Sequence, residues 1–195
     1  MTENLDPAPA TPAPAPTATR APRRLLVGLF ALAAFVIAAD QLSKWWAEAN
    51  LSGGENIPII GDLLSFQLVY NPGAAFSLAE EFTWVLTIIA AIAVVAITWY
   101  AWTVQSRAWA VALGMLLGGA ITHLGDRLFR DPGFARGHVV DFINYNGYFI
   151  GNIADIALVG GAILIVIISI MGIAAKPEPT TTSDADSAAT PTTTG

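Results

Sequence analysis

Two carboxylates carry the most promising chemistry in the chain. Asp141 stands in Gly137-His138-Val139-Val140-Asp141-Phe142, and Asp155 in Gly151-Asn152-Ile153-Ala154-Asp155. Asp155 is followed by Ile156-Ala157-Leu158-Val159 and has no cation near it in sequence. A lone carboxylate in apolar surroundings is costly, and the usual remedies are a partner or a raised pKa. Two carboxylates that share one proton meet both needs. The ionised member activates water as general base; the protonated member polarises a scissile carbonyl and then protonates the leaving amine. Spacing alone does not single out such a pair, so the elements that could bring the two acids together matter.

Composition identifies the kind of element involved. Hydrophobic residues make up 54% of the 195 and charged residues 12%, with a mean hydropathy of +0.58, too apolar for an ordinary soluble domain. The chain reads as an integral membrane protein. Nine Lys and Arg form no basic stripe, so no nucleic-acid partner is expected. The absence of cysteine excludes disulfides, thiolate metal sites, a cysteine nucleophile and lipidation of the chain on cysteine.

Residues 1–22 are an Ala/Pro-rich run, and residues 176–195 are rich in Thr, Ser, Asp and Pro; both read as disordered tails around a membrane domain at residues 23–175. Four apolar stretches inside that domain are each long enough for the roughly 20 helical residues that cross a bilayer. They run from Leu25 to about Trp46, from Phe82 to Trp102, from Trp109 to about Leu124 and from Ile150 to Ala175. A cleaved signal peptide is the competing reading of the first. The run is long for one, and no small-x-small cleavage site ends it.

Four spans put both termini on one side. Arg20, Arg23 and Arg24 before the first span, Arg107 between the second and third, and Lys176 after the fourth assign that side to the cytoplasm. The other face then collects the unusual residues: Asp40 and Lys44, Asn71, Asp126 and Arg127, and Asp141, Asn152 and Asp155. Asp40 lies about 22 Å along its helix from Leu25, within the apolar layer, where an ionisable group is a functional candidate by default. Asp40 and Lys44 at i,i+4 could equally form a plain ion pair, and Asp126-Arg127 a pair snorkelling to water.

In chain order these pieces resemble signal peptidase II, the bacterial prolipoprotein signal peptidase family. The match runs through Asp40-Gln41-x-x-Lys44, Asn71-x-Gly73-x-Ala75-Phe76-Ser77, Gly118-Gly119-Ala120 leading to Asp126-Arg127, Val140-Asp141-Phe142, and Asn152-Ile153-Ala154-Asp155. The resemblance implies an all-α integral membrane fold of four transmembrane helices with a small extracytoplasmic loop or β element. It implies that residues 23–175 form an aspartic endopeptidase with Asp141 and Asp155 as catalytic pair, without metal or other cofactor. The implied partners are membrane lipid and diacylglyceryl-modified prolipoproteins, cut just before the lipidated cysteine. Asp40, Lys44, Asn71, Gly73, Arg127 and Asn152 match residues around the family's site. The implied location is the bacterial cytoplasmic membrane, termini inside, with the site at the outer leaflet. The loop from Leu51 to Glu81 is then an extracytoplasmic cradle, with a short strand over residues 63–70 and a turn at Asn71-Pro72-Gly73.

The chain departs from the family pattern in places. Thr122-His123 stands where Gly-Asn is usual, Gly151 where an aromatic precedes the Asn, and Ile156 where a small residue follows the last Asp. The histidines suggest a second reading. His123-x-x-Asp126 and His138-x-x-Asp141 could serve a metal-dependent membrane hydrolase or a metal transporter, although His-Glu-x-x-His is lacking. A third reading is a small proton-coupled carrier with Asp40 and Asp155 as relay acids, for which inverted repeats are not detectable.

Overall fold

The computed structural model describes residues 20–73 and 83–176. The elements follow in the order α1 (Arg23–Leu51), β1 (Asn56–Ile60), β2 (Leu64–Asn71), α2 (Thr83–Ala101), α3 (Arg107–Phe129), β3 (Val139–Tyr145), β4 (Phe149–Gly151) and α4 (Ile153–Ile170). Both expected tails lie outside the described residues except for Arg20 to Pro22 and Lys176, and so do Ala75, Phe76 and Ser77 of the second motif.

All four helices are long and apolar enough to cross a membrane. Their outer surfaces carry exposed Phe35, Trp45, Ile92, Val95, Trp99, Ile163 and Ile170, which suits lipid as the surrounding solvent. α3 is the central helix and packs against the other three. Small residues on it let its neighbours come close. A Cβ on Gly118 would lie 2.7 Å from Val36 Cβ of α1, and one on Gly119 would lie 2.9 Å from the Ala154 carbonyl oxygen of α4. Close backbone approach through glycine replaces the hydrophobic drive that lipid removes.

Three bonds tie one end of the bundle. Ala21 N–H donates to the Trp102 carbonyl at 2.8 Å, Gln105 N–H to the Ala175 carbonyl at 2.8 Å, and Trp109 Nε1–H to the Ile173 carbonyl at 2.7 Å. The starts of α1 and α3 and the ends of α2 and α4 therefore share this end. The polar residues and the strands gather at the other.

That other end is not purely helical. The expected single strand over residues 63–70 is present as β2, but it belongs to a four-stranded antiparallel sheet in the order β1-β2-β3-β4. β3, Val-Val-Asp-Phe-Ile-Asn-Tyr, is buried along almost its whole length, so it lacks the alternation that betrays a strand. Phe142 and Ile143 pack with Ala47 and Leu51 of α1, which is why α1 runs on past Trp46 to Leu51. Residues 150 and 151, expected in the fourth helix, belong to β4 because Asn152 caps α4 and starts the helix at Ile153.

Candidate active site

The cap of α4 holds the first part of the site. Asn152 Oδ1 accepts from Asp155 N–H at 3.1 Å, and Asp155 Oδ2 accepts from Asn152 N–H at 2.9 Å, a reciprocal capping box. Asp155 is thus the first-turn acid of α4, where the positive end of the helix dipole favours a carboxylate. The same Asn152 reaches across to β3. Its Nδ2–H donates to Asp141 Oδ1 at 2.6 Å and to the Val140 carbonyl at 3.3 Å. One asparagine thereby joins the two aspartates from separate elements.

The end of β2 supplies the second clamp. Asn71 lies opposite Val139 in the sheet, and its Nδ2–H donates to Asp141 Oδ2 at 2.8 Å. Gly73 N–H donates to Asn71 Oδ1 at 2.8 Å, which fixes the amide so that its NH₂ faces the carboxylate. Gly73 turns the chain with φ of 118°, a region closed to most side chains. Burial pushes the Asp141 carboxyl up to about 6; Asn71 pulls it down, the charge of Asp155 pushes it up, and Asn152 and His123 pull it down again.

Beside the cap lies a buried chain of charges. Asp40 and Lys44 are fully buried, with Lys44 Nζ 2.6 Å from Asp40 Oδ2 and 2.7 Å from Asp126 Oδ2. Asp126 Oδ1 accepts from Arg130 Nε at 2.8 Å, and Arg130 continues to Glu48 Oε1 at 2.6 Å. Asp40 Oδ1 accepts the Ala154 N–H at 2.9 Å, one of the donors that the first turn of α4 cannot satisfy within the helix. The i,i+4 pair of α1 is therefore neither exposed nor isolated: it links α1 and α3 to the base of α4.

Asp126 and Arg127 do not snorkel as a pair, because both are buried and turn to different partners. Arg127 directs Nη1–H toward the carbonyls of Pro72 and Gly137, both at 3.4 Å, and interacts electrostatically with Asp141 and Asp126. The two His-x-x-Asp pairs also come apart. His123 Nε2 lies 3.1 Å from Asp155 Oδ1, whereas His138 lines a separate cavity of about 470 Å³ with Glu48, Tyr70, Arg130 and Asp131. Among the described residues no three His, Asp or Glu side chains are disposed to hold a metal ion.

The geometry is that of a membrane protein with two acids bridged by a cap residue, and sequence comparison identifies its relatives. The family model described as signal peptidase (SPase) II matches residues 32–171. The chain belongs to the signal peptidase II family. It is 51% identical to a lipoprotein signal peptidase of Mycobacterium avium (strain 104) over 153 residues, covering 78% of this chain and 84% of that one. It is 46% identical to one of Rhodococcus jostii (strain RHA1) over 151 residues, 77% of this chain and 75% of the other. A solved bacterial membrane enzyme superposes with a TM-score of 0.61 at 28% identity, covering 74% of this chain and 93% of its own. As a member of this family the chain is a protease that removes signal peptides from prolipoproteins.

Against the family pattern, each departure has a local account. Thr122 is buried and returns its hydroxyl to the Gly119 carbonyl at 2.9 Å, so the extra polar group is satisfied inside its own helix. Gly151 leaves the place beside Asp155 without a side chain, and the ring of Phe149 comes within 2.6 Å of where a Cβ would stand. Ile156 points outward, half exposed. His123 is the departure that touches the pair itself.

Sequence reasoning missed several supports. Arg130 and Glu48 extend the charge chain; the i,i+4 spacing of Asp126 and Arg130 was the available signal. Thr83 Oγ1–H donates to the Pro72 carbonyl at 2.9 Å and Thr87 Oγ1–H to the Ala135 carbonyl at 2.8 Å, tying α2 to the turn after β2 and to the loop before β3. Nothing in the sequence distinguishes those threonines from other helix residues.

Proposed function

We propose that Asp141 and Asp155 are the catalytic pair of this peptidase, and that it cuts diacylglyceryl-modified prolipoproteins just before the lipidated cysteine. The observation that carries this reading is Asn152, which hydrogen-bonds the side chains of both acids at once. With one proton shared between them, the ionised carboxylate takes a proton from water as the oxygen attacks the scissile carbonyl. The other carboxyl donates its proton as the tetrahedral intermediate collapses and the amine leaves, and the pair ends with one proton again. Asn71 and Asn152 orient Asp141. Asp40, Lys44 and Asp126 hold the start of α4, and Arg127 braces the turn after β2 and the loop leading into β3. Residues 23–175 constitute the peptidase domain.

The surroundings suit a substrate that lives in lipid. A groove of about 420 Å³ beside Asp155 is lined by Ile156, Val159, Gly160 and Ile163 together with Tyr145 and Phe149. Its apolar walls would accept an apolar segment that arrives by diffusion within the bilayer, while water enters from the sheet side. The basic residues at the opposite end support a topology with the termini in the cytoplasm and the pair at the outer leaflet of the bacterial cytoplasmic membrane.

Purified protein incubated with a lipidated precursor and with an unlipidated one tests the reading by gel shift. Cleavage of the lipidated precursor alone is expected. In Asp141→Asn and Asp155→Asn, turnover falls by about 10²- to 10⁴-fold, the usual worth of positioned acid–base groups. Undiminished turnover in either variant removes that residue from the mechanism.

A further inference from the structure

His123 occupies the position where the chain most clearly leaves its family's pattern, and it is the side chain facing the free oxygen of Asp155. Nε2 is 3.1 Å from Asp155 Oδ1, while Oδ2 of the same carboxylate is held by the Asn152 N–H. The two acids sit in unequal settings. The Asp155 side chain is 26% exposed and lies in the first turn of α4 beside an imidazole. Asp141 is 3% exposed, and burial favours its neutral form.

We propose that His123, when protonated, is a positioning residue that holds Asp155 as the ionised, water-activating carboxylate and leaves Asp141 to carry the proton of the pair. This role presupposes that the two aspartates are the catalytic pair. Among the described residues the charged groups around His123 and the pair are few. Asp155 comes from α4, Asp141 from β3 and Arg127 from α3 itself. Lys44 of α1 is neutralised by Asp40 and Asp126 at 2.6 and 2.7 Å. α2 carries no ionisable residue except Tyr100, which lies by Lys176 at the opposite end of the bundle. Among the described residues the imidazolium is therefore the cation that bears directly on Asp155. Its positive charge makes both carboxyls easier to ionise, so the singly protonated pair exists at lower pH than it would beside a neutral amide.

The direct test is kcat/KM against pH for the full-length protein with a lipidated precursor, comparing wild type with His123→Asn, which restores the residue usual in the family. Both limbs of the profile move to higher pH by about one unit, the smaller end of what an adjacent opposite charge does to a carboxyl. A profile whose height changes while its limbs stay in place makes His123 merely structural and overturns the proposal. The infrared carboxylic-acid C=O band provides a check that needs no histidine variant. Just below pH 6, above the range where ordinary carboxyls gain their protons, the band is expected to disappear in Asp141→Asn and persist in Asp155→Asn; the reverse pattern overturns the assignment of the proton. If either aspartate variant keeps full turnover, the pair itself falls. If both are inactive and the limbs of His123→Asn do not move, only the role of His123 falls.

Discussion

A single asparagine does three jobs at this site, and its loss should be correspondingly specific. Asn152 caps α4, donates to Asp141 and, through its backbone N–H, holds Asp155. Replacing it with Ala removes the side-chain bonds and keeps the backbone one, so kcat falls by about a hundredfold, the order expected for one preorganised donor. A cap loss alone costs about 1 kcal/mol, so the variant remains folded and its melting point in detergent moves little. Asn71→Ala gives a different signature. The Asn71 NH₂ favours the ionised form of Asp141, whose carboxyl stands near 6 because of burial. Without that donor the carboxyl rises further, Asp141 keeps its proton to higher pH, and the alkaline limb of kcat/KM shifts upward. An unchanged limb in a pH titration of that variant would contradict the placement of the proton on Asp141.

At the scale of elements, the site depends on how closely α1 and α4 approach α3. Gly119 faces the first turns of α4, where a Cβ would meet Leu158 Cγ at 2.6 Å and the Ala154 carbonyl at 2.9 Å. Gly119→Leu therefore pushes α4 outward at the very turn that carries Asp155. Overpacking of this kind costs about 1–3 kcal/mol, and activity should fall more than stability because the asparagine bridge is carried by the displaced cap. Thermal denaturation and turnover measured on the same preparation separate the two effects. The buried charge chain predicts the opposite balance. Lys44→Met leaves Asp40 and Asp126 buried without their shared cation, and breaking a buried ion pair from one side costs about 3–5 kcal/mol. This variant should lose its folded state at markedly lower temperature, and Asp126 would retain Arg130, Gln41 and the Val140 N–H as partners.

For the whole molecule, the bundle has one end tied by backbone bonds between helix termini and another built from the sheet and the charged residues. The proposed orientation rests on the arginines at the tied end, Arg20, Arg23, Arg24 and Arg107. A reporter active only in the cytoplasm should work when inserted at Ser106, and one active only outside should work when inserted at Gly61. The reverse result would put the pair at the inner leaflet.

The four spans and both acids were legible in the chain because each rests on a local property: runs of apolar residues long enough for the bilayer, and charges that such runs do not carry without reason. β2 was legible too, since its alternation and the Asn71-Pro72-Gly73 turn are short-range signals. β3 and β4 were not. A strand buried on both faces has no alternation, and the start of α4 was misjudged by three residues because Ile150 is as apolar as Ile153 and only the reciprocal bonds of Asn152 and Asp155 mark the boundary. The sequence by itself determined four apolar spans and, through its resemblance to signal peptidase II, a membrane peptidase. The tertiary structure alone decided that His123 faces Asp155 and not Asp126, and that Lys44 bridges two acids on different helices. Which face a side chain shares with another helix depends on the rotation and close packing of both helices, and no spacing within one segment contains that information.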